Sequence, residues 1–247
     1  MINIKTKEEI TKIAKSGKIS AFVLKELQKN VRDGITTREL DKIASRIITS
    51  RGASASFLNY QNYPASICVS LNDEVVHGLP SSKPIKYGDL VKIDVGVNYE
   101  GYHSDTATTF YFGKPNKDVM RLIKGVRLAL FESIKVIKPG VKVGLIEQTT
   151  GTILKRYGLS PVMTLSGHGV GKDIHEEPSI RSDGDERNGE TIKEGMVFAI
   201  EPMATLGHGH VKNASDGWTV VSADKTLAAH FEHTVVVTKG GAKILTH

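Results

Sequence analysis

One pattern of glycines, aliphatics and carboxylates occurs twice along this chain, and that repeat limits the available folds more than any other feature. Gly34 to Gly52 and Gly140 to Gly158 have the same separation, with Leu40 and Ile146, Asp41 and Glu147, and Ile47 and Ile153 at equivalent steps. Each interval reads as a helix followed by a glycine stop. Further on, Gly88-Asp-Leu-Val-Lys-Ile-Asp94 is echoed by Gly195-Met-Val-Phe-Ala-Ile-Glu201: a glycine turn, a mostly apolar strand, and a carboxylate at its end. A helix and a strand recurring at nearly one offset point to two related units. No Gly/Ser/Pro-rich linker lies between them, so they are expected to share one sheet-centred core. The prediction is a single α+β domain over residues 1–247, with halves of about 1–112 and 113–247.

Local signals agree with this plan. Thr6-Lys-Glu-Glu9 is a capping box that opens a helix carrying Ile10, Ile13, Ala14 and Val23, expected to run to Gly34. Thr36-Thr-Arg-Glu39 caps a second helix with Leu40, Ile43, Ile47 and Ile48 on its apolar face. Strands are expected at 66–71, 74–76, 90–97 and 102–111, with a turn at 98–101. Pro115 then opens a helix through Val126, Leu130 and Ile134 that Pro139-Gly140 stops, and Leu145, Ile146, Ile153 and Leu154 mark a fourth.

Acidic residues belong on surfaces, so those embedded in apolar runs are informative. Alternation along Leu90–Val97 places Asp94 on one face with Leu90 and Lys92, and a hairpin through the 98–101 turn would bring Asp105 close to it. Glu201 ends the second apolar strand, and Glu232 starts the β-branched run Thr234-Val-Val-Val. Any one of these alone reads as a strand-end acid facing water. Four drawn from two matching halves would repel each other and take up protons unless cations joined them. His168, flanked by glycines in Ser166-Gly-His-Gly-Val-Gly, supplies a fifth candidate ligand. Four carboxylates and one imidazole balance two divalent ions, and an oxygen-rich set with one nitrogen suits manganese, iron, cobalt or zinc.

Composition removes several classes of function. No apolar stretch approaches the ~20 residues of a membrane span, and the N-terminus lacks the apolar core of a secretory signal. The single cysteine, Cys68, excludes an intrachain disulfide framework and a CxxC pair. Together these predict a cytoplasmic protein that does not engage membranes. The net charge of +6 comes from lysines scattered along helix faces such as Lys12, Lys15, Lys18, Lys25 and Lys29, and no DNA- or RNA-binding motif accompanies them. His175-Glu-Glu-Pro lacks the second histidine of an HExxH zinc site, and there is neither a nucleophile elbow nor a Walker loop. His208 and His210 flank a loop glycine and read as solvated.

In order and spacing along the whole chain, five segments resemble the type I methionine aminopeptidases. They are Asn72-Asp-Glu-Val-Val-His77-Gly-Leu-Pro, Asp94-Val-Gly through His103-Ser-Asp105, Gly167-His168-Gly-Val-Gly through His175-Glu-Glu-Pro, Ile200-Glu201-Pro-Met, and Phe231-Glu232-His-Thr-Val-Val-Val. The resemblance implies a pita-bread fold, with two pseudo-symmetric αβ halves around a central, mainly antiparallel sheet. It implies that Asp94, Asp105, His168, Glu201 and Glu232 hold two metal ions, with Asp105 and Glu232 bridging them. It further implies that His77 and His175 stand beside the scissile bond without ligating. Phe57, Tyr60, Tyr63, Cys68 and Trp218 would line a pocket for the methionine side chain, an apolar and polarizable set suited to a thioether. Ile174 occupies a position that is often aromatic in that family.

The activity so implied is removal of the initiator methionine from nascent chains with a small second residue, by attack of a metal-activated hydroxide on the first peptide bond. Glu201 would carry the proton toward the departing amine, His175 would donate to the developing oxyanion, and His77 would position the amide. The substrates are nascent polypeptide N-termini, met at the ribosome, and the enzyme is expected to be monomeric. A prolidase or Xaa-Pro aminopeptidase would use the same five ligands but usually carries a sizeable N-terminal domain, where this chain has a short helical lead-in. The chain also lacks the insertion of a type II enzyme. A non-catalytic binding protein of the same fold would be marked by lost ligands, and here all five are present.

Overall fold

Thr6 and Thr36 each start a helix in the way their sequence context predicts. In both, the threonine hydroxyl accepts from the backbone N–H three residues on, while Glu9 or Glu39 reaches back to the threonine N–H. The structure is a computed structural model and is described here for residues 2–247. The two helices are α1 (Lys7–Asn30) and α2 (Thr37–Ser50). The first stops four residues before Gly34, because Val31 turns extended and residues 31–35 instead form a turn that bonds to Ile85. Pro115 precedes α3 (Lys117–Lys135) without opening it; the cap is Asn116, whose side chain accepts from Val119 N–H. The last helix is α4 (Val143–Arg156).

The strands of the first part are β1 (Ser54–Ala55), β2 (Cys68–Leu71), β3 (Glu74–Val76), β4 (Leu90–Tyr99) and β5 (Tyr102–Tyr111). Those after α4 are β6 (Ser160–Pro161), β7 (Ser166–Gly169), β8 (Glu176–Arg181), β9 (Val197–Ile200) and β10 (Met203–Thr205). Then follow β11 (Val211–Asn213), β12 (Val220–Ser222), β13 (Ala228–His230), β14 (His233–Thr238) and β15 (Gly241–Ile244). All pairings are antiparallel. β4 pairs with β1, β2 and β5, while β15-β14-β9-β7-β8 forms a five-stranded sheet. The strands β1, β6 to β8, β10 to β13 and β15 lie outside the expected ones; all but β8 are two to four residues long and are selected by partners rather than by local pattern.

Similar hydrogen bonds occur at the repeated positions. Gly34 N–H donates to Ile85 and Ile85 to Ile35; Gly140 N–H donates to Ile192 and Ile192 to Val141. Asp41 on α2 accepts from Ser66 and Ile67 N–H, and Glu147 on α4 accepts from Arg181 N–H. Gly88 and Gly195 open β4 and the β9 segment with φ of 103° and 86°, values open to glycine at little cost. α1 and α2 cover one face of β4 through Val23, Leu27, Leu40 and Ile48, and α3 and α4 cover β9 and β14 through Leu122, Val126, Ile146 and Leu154.

The expected central sheet is built as two ladders that meet where β5 passes the start of β14. Glu232 N–H donates to Ala107 O. Thr106 Oγ1 donates to Glu232 O, and Thr234 Oγ1 both accepts from Asp105 N–H and donates to Asp105 O. Threonine hydroxyls replace part of the ladder there, so Asp105 and Glu232 are held side by side.

Candidate metal centre

Register explains why two of the acids converge. In the β4–β5 hairpin Asp94 lies opposite Ala107 and Asp105 opposite Gly96, so the two carboxylates are diagonal neighbours on one face. His168 sits on β7 opposite Ala199 of β9, two residues from Glu201. The glycines around it are required by that packing. A Cβ on Gly167 would come within 2.4 Å of Ala199 O, and one on Gly169 within 2.2 Å of Glu177 O.

All five residues line one cavity of about 200 Å³, together with Phe57, Tyr60, Gln61, Tyr63, Cys68, His77, His175 and Trp218. Ligand atoms of Asp105, His168 and Glu232 lie within 4.8 Å of one another, and all three residues are buried. His168 Nδ1 is 2.9 Å from Gly169 O, a pure acceptor, so this nitrogen carries the proton. The Nε2 lone pair therefore faces the acids, 3.4 Å from Glu201 Oε1. Two further oxygens, Asp94 Oδ1 and Glu232 Oε1, are buried without a hydrogen-bond partner.

Such an arrangement is unfavourable without a cation. Burial raises the Asp94 carboxyl to about 6, with His230 opposing the rise and Glu201 adding to it. Burial pushes Glu201 up to about 8. Asp105 and Glu232 are raised well above the carboxylate range by burial and then by neighbouring acids. Burial also lowers His168 to about 3, so its imidazole is neutral at physiological pH. Orphaned oxygens, a free imidazole lone pair and mutually repelling carboxylates fit the requirements of a divalent metal site with mainly oxygen ligands.

His77 and His175 stand at the same cavity with solvent-accessible edges. Surrounding protein lowers His77 to about 4 and also lowers His175, leaving both imidazoles neutral. His77 is held at φ 56°, an uncommon backbone state for a side chain of this size. The His175 ring lies 4.3 Å from that of His168, and its Nδ1 is 2.9 Å from the Tyr60 hydroxyl. On the apolar side, Tyr63 meets Trp218 edge-on at 5.2 Å and its hydroxyl donates toward Ile67 and Gly78 carbonyls. Burial, followed by the nearby Asp94 charge, keeps the Cys68 thiol protonated. Ile174 is 1% exposed and packs against Phe57, Tyr63 and Cys68, behind the cavity wall.

Every sequence-predicted site residue thus borders this one cavity. Two neighbours were missed. His230 is buried with Nε2 unpartnered, 3.4 Å from Glu201 Oε2 and 3.9 Å from Glu232 Oε2. Its signal was its place two residues before Glu232, on the same face of an extended chain. Gln61 borders the cavity from a loop in which Asn59, Gln61 and Asn62 all have positive φ, a geometry with no local sequence signature.

A model of metallopeptidase family M24 matches residues 11–239. Methionine aminopeptidase 1 of Bacillus subtilis is 42% identical over 246 residues, covering 100% of this chain and 99% of its own. The methionine aminopeptidase of Aquifex aeolicus is 41% identical, over 99% of this chain and 98% of that one. Among solved structures, a methionine aminopeptidase from Thermotoga maritima superposes with a TM-score of 0.98 at 38% identity, covering 100% of this chain and 99% of that one. A prolidase from Pyrococcus furiosus superposes at 0.82 with 29% identity, and this chain spans 65% of it.

Proposed function

The chain belongs to metallopeptidase family M24 and has its pita-bread fold, and on that premise we propose that it is a type I methionine aminopeptidase. Its substrates are nascent polypeptide N-termini with a small second residue, met at the ribosome in the cytoplasm. It acts as a monomer, one catalytic domain made of halves of about 1–112 and 113–247. The observation that carries the reading is the convergence of Asp94, Asp105, His168, Glu201 and Glu232 beside an aromatic, thiol-lined pocket in one cavity. The higher identity and TM-score of the methionine aminopeptidases favour this reading over a prolidase.

Two divalent ions, of cobalt, manganese, iron or zinc, would be held by those five side chains. When bound, they acidify water and polarise the carbonyl of the first peptide bond. Each remaining task falls to the chain itself. Phe57, Tyr60, Tyr63, Cys68 and Trp218 take up the methionine side chain and exclude water from it. Glu201, beside the attacking water, receives a proton from it and passes that proton to the departing amine. Neutral His175 donates from Nε2 to the carbonyl oxygen as negative charge develops, with Tyr60 holding its Nδ1. His77 positions the amide being cut, and its closeness is the reason for a small second residue.

The test is hydrolysis of Met-Ala-Ser and Ala-Pro-Ser by metal-stripped protein resupplied with manganese or cobalt. Methionine release from the first peptide alone, absent without metal and absent in Glu201→Ala, is the expected result. Cleavage of the second peptide would assign the chain to the Xaa-Pro peptidases, and no turnover of either would overturn the enzymatic reading.

A further inference from the structure

The loop between β7 and β8 carries both Ile174 and His175, and between its buried apolar residues Val170 and Ile174 lies the polar stretch Gly171-Lys172-Asp173. Its conformation is organised around one carboxylate. Glu176 Oε1 accepts from Lys172 N–H at 2.9 Å and from Asp173 N–H at 3.4 Å. Its other oxygen, Oε2, faces the segment that precedes α1, where it accepts from Lys5 Nζ at 2.5 Å and from Asn3 Nδ2 at 3.2 Å. Lys5 Nζ also donates to Asn3 O. Among the described residues this is the one lysine or arginine ion pair with both side chains under a tenth exposed, at 5% and 6%.

The surroundings are built to admit that pair. A Cβ on Gly171 would lie 2.3 Å from Glu176 Oε1 and 2.4 Å from Lys5 Cε, so only glycine allows both groups to close over the loop. Gly171 O accepts from His103 N–H, two residues from Asp105. Lys5 N–H donates to Gly195 O, at the turn that leads into β9 and on to Glu201. The N-terminal segment is therefore fastened at one end to the strand of one site residue and by its side chain to the loop of another.

We propose that Lys5 and Glu176 are positioning residues: residues 2–6 act as a strap whose buried Lys5–Glu176 ion pair sets the loop that presents His175 to the site and Ile174 to the back of the methionine pocket. Its catalytic consequence rests on the aminopeptidase reading above. Neither residue lines the cavity or touches substrate. Their effect comes through geometry, because a displacement of about 1 Å in a group that meets the reacting carbonyl costs up to ~100-fold in rate. A buried carboxylate left without its ammonium draws water or shifts toward solvent, and the loop wound around it follows.

The experiment compares wild type with Lys5→Met, Lys5→Arg and Glu176→Gln in two readouts, amide hydrogen exchange and Met-Ala-Ser kinetics in saturating manganese. Lys5→Met and Glu176→Gln are expected to speed exchange at 172–176 while leaving the α3 and β14 amides protected. Both are expected to lower kcat by ~10- to ~100-fold with KM changed far less. Lys5→Arg, which keeps a cation, should recover most of both. Faster loop exchange with unchanged kcat would overturn the positioning role, and unchanged loop exchange in both charge-removing variants would overturn the strap itself. If wild type releases no methionine, the aminopeptidase reading fails, and the exchange data still decide the strap.

Discussion

Glu201→Gln in the metal-free protein isolates the electrostatic cost of the site, because glutamine has the shape of a protonated glutamate and cannot ionise. Folded Glu201 holds its proton to about pH 8, whereas the unfolded chain releases it near the ordinary value of 4.5. Between those values the folded state binds more protons, so its stability contribution is complete below pH 4.5 and is lost as pH rises through 8. At ~1.36 kcal/mol per pH unit, raising pH from about 6.5 to about 8 costs the wild type ~2 kcal/mol that the variant does not lose. Shifts at the histidines and at Lys92 occur in both proteins and cancel in the difference, whereas the rise that the Glu201 charge adds at Asp94, Asp105 and Glu232 is relieved in the variant and acts in the same direction. Urea unfolding in chelator at the two pH values reads this out. With a slope near 2 kcal/mol per molar, the variant's midpoint should rise by ~1 M relative to wild type. Excess manganese should remove Glu201's part of the wild type's pH dependence in this window, because the ion replaces the proton. Parallel behaviour of the two metal-free proteins would refute the argument, since it would mean that Glu201 is already ionised in the fold.

His168→Ala removes the imidazole lone pair and should weaken manganese binding by at least ~10- to ~100-fold in titration calorimetry, with the fold retained. His175→Ala should lower kcat on Met-Ala-Ser by ~100-fold or more while KM changes little, because its donor acts on charge that develops in the transition state. Lys92, 2% exposed, donates to Asn72 and Ala228 carbonyls, and burial lowers its pKa to about 7. Across about pH 7 to 10 the unfolded chain binds the extra proton, so the contribution of Lys92 to stability rises with pH there, and the wild type should gain stability relative to Lys92→Met, as thermal unfolding of both would show.

What could be read from the chain alone followed from short-range rules. Both capping boxes formed, since each needs only a threonine and a glutamate three residues apart. Asp94 and Asp105 met because a tight turn fixes hairpin register and alternation then fixes the face. The repeat was legible because matching turns impose matching spacings. Tertiary structure decided what depends on distant partners. A glycine-rich backbone has little strand preference of its own, and Ser166–Gly169 became β7 because β8 and β9 flank it. His230 and Gln61 reached the cavity through packing and positive-φ geometry that no spacing encodes. Lys5 and Glu176, far apart in sequence, look alone like surface charges; only the folded chain closes water off from both and makes each the other's partner.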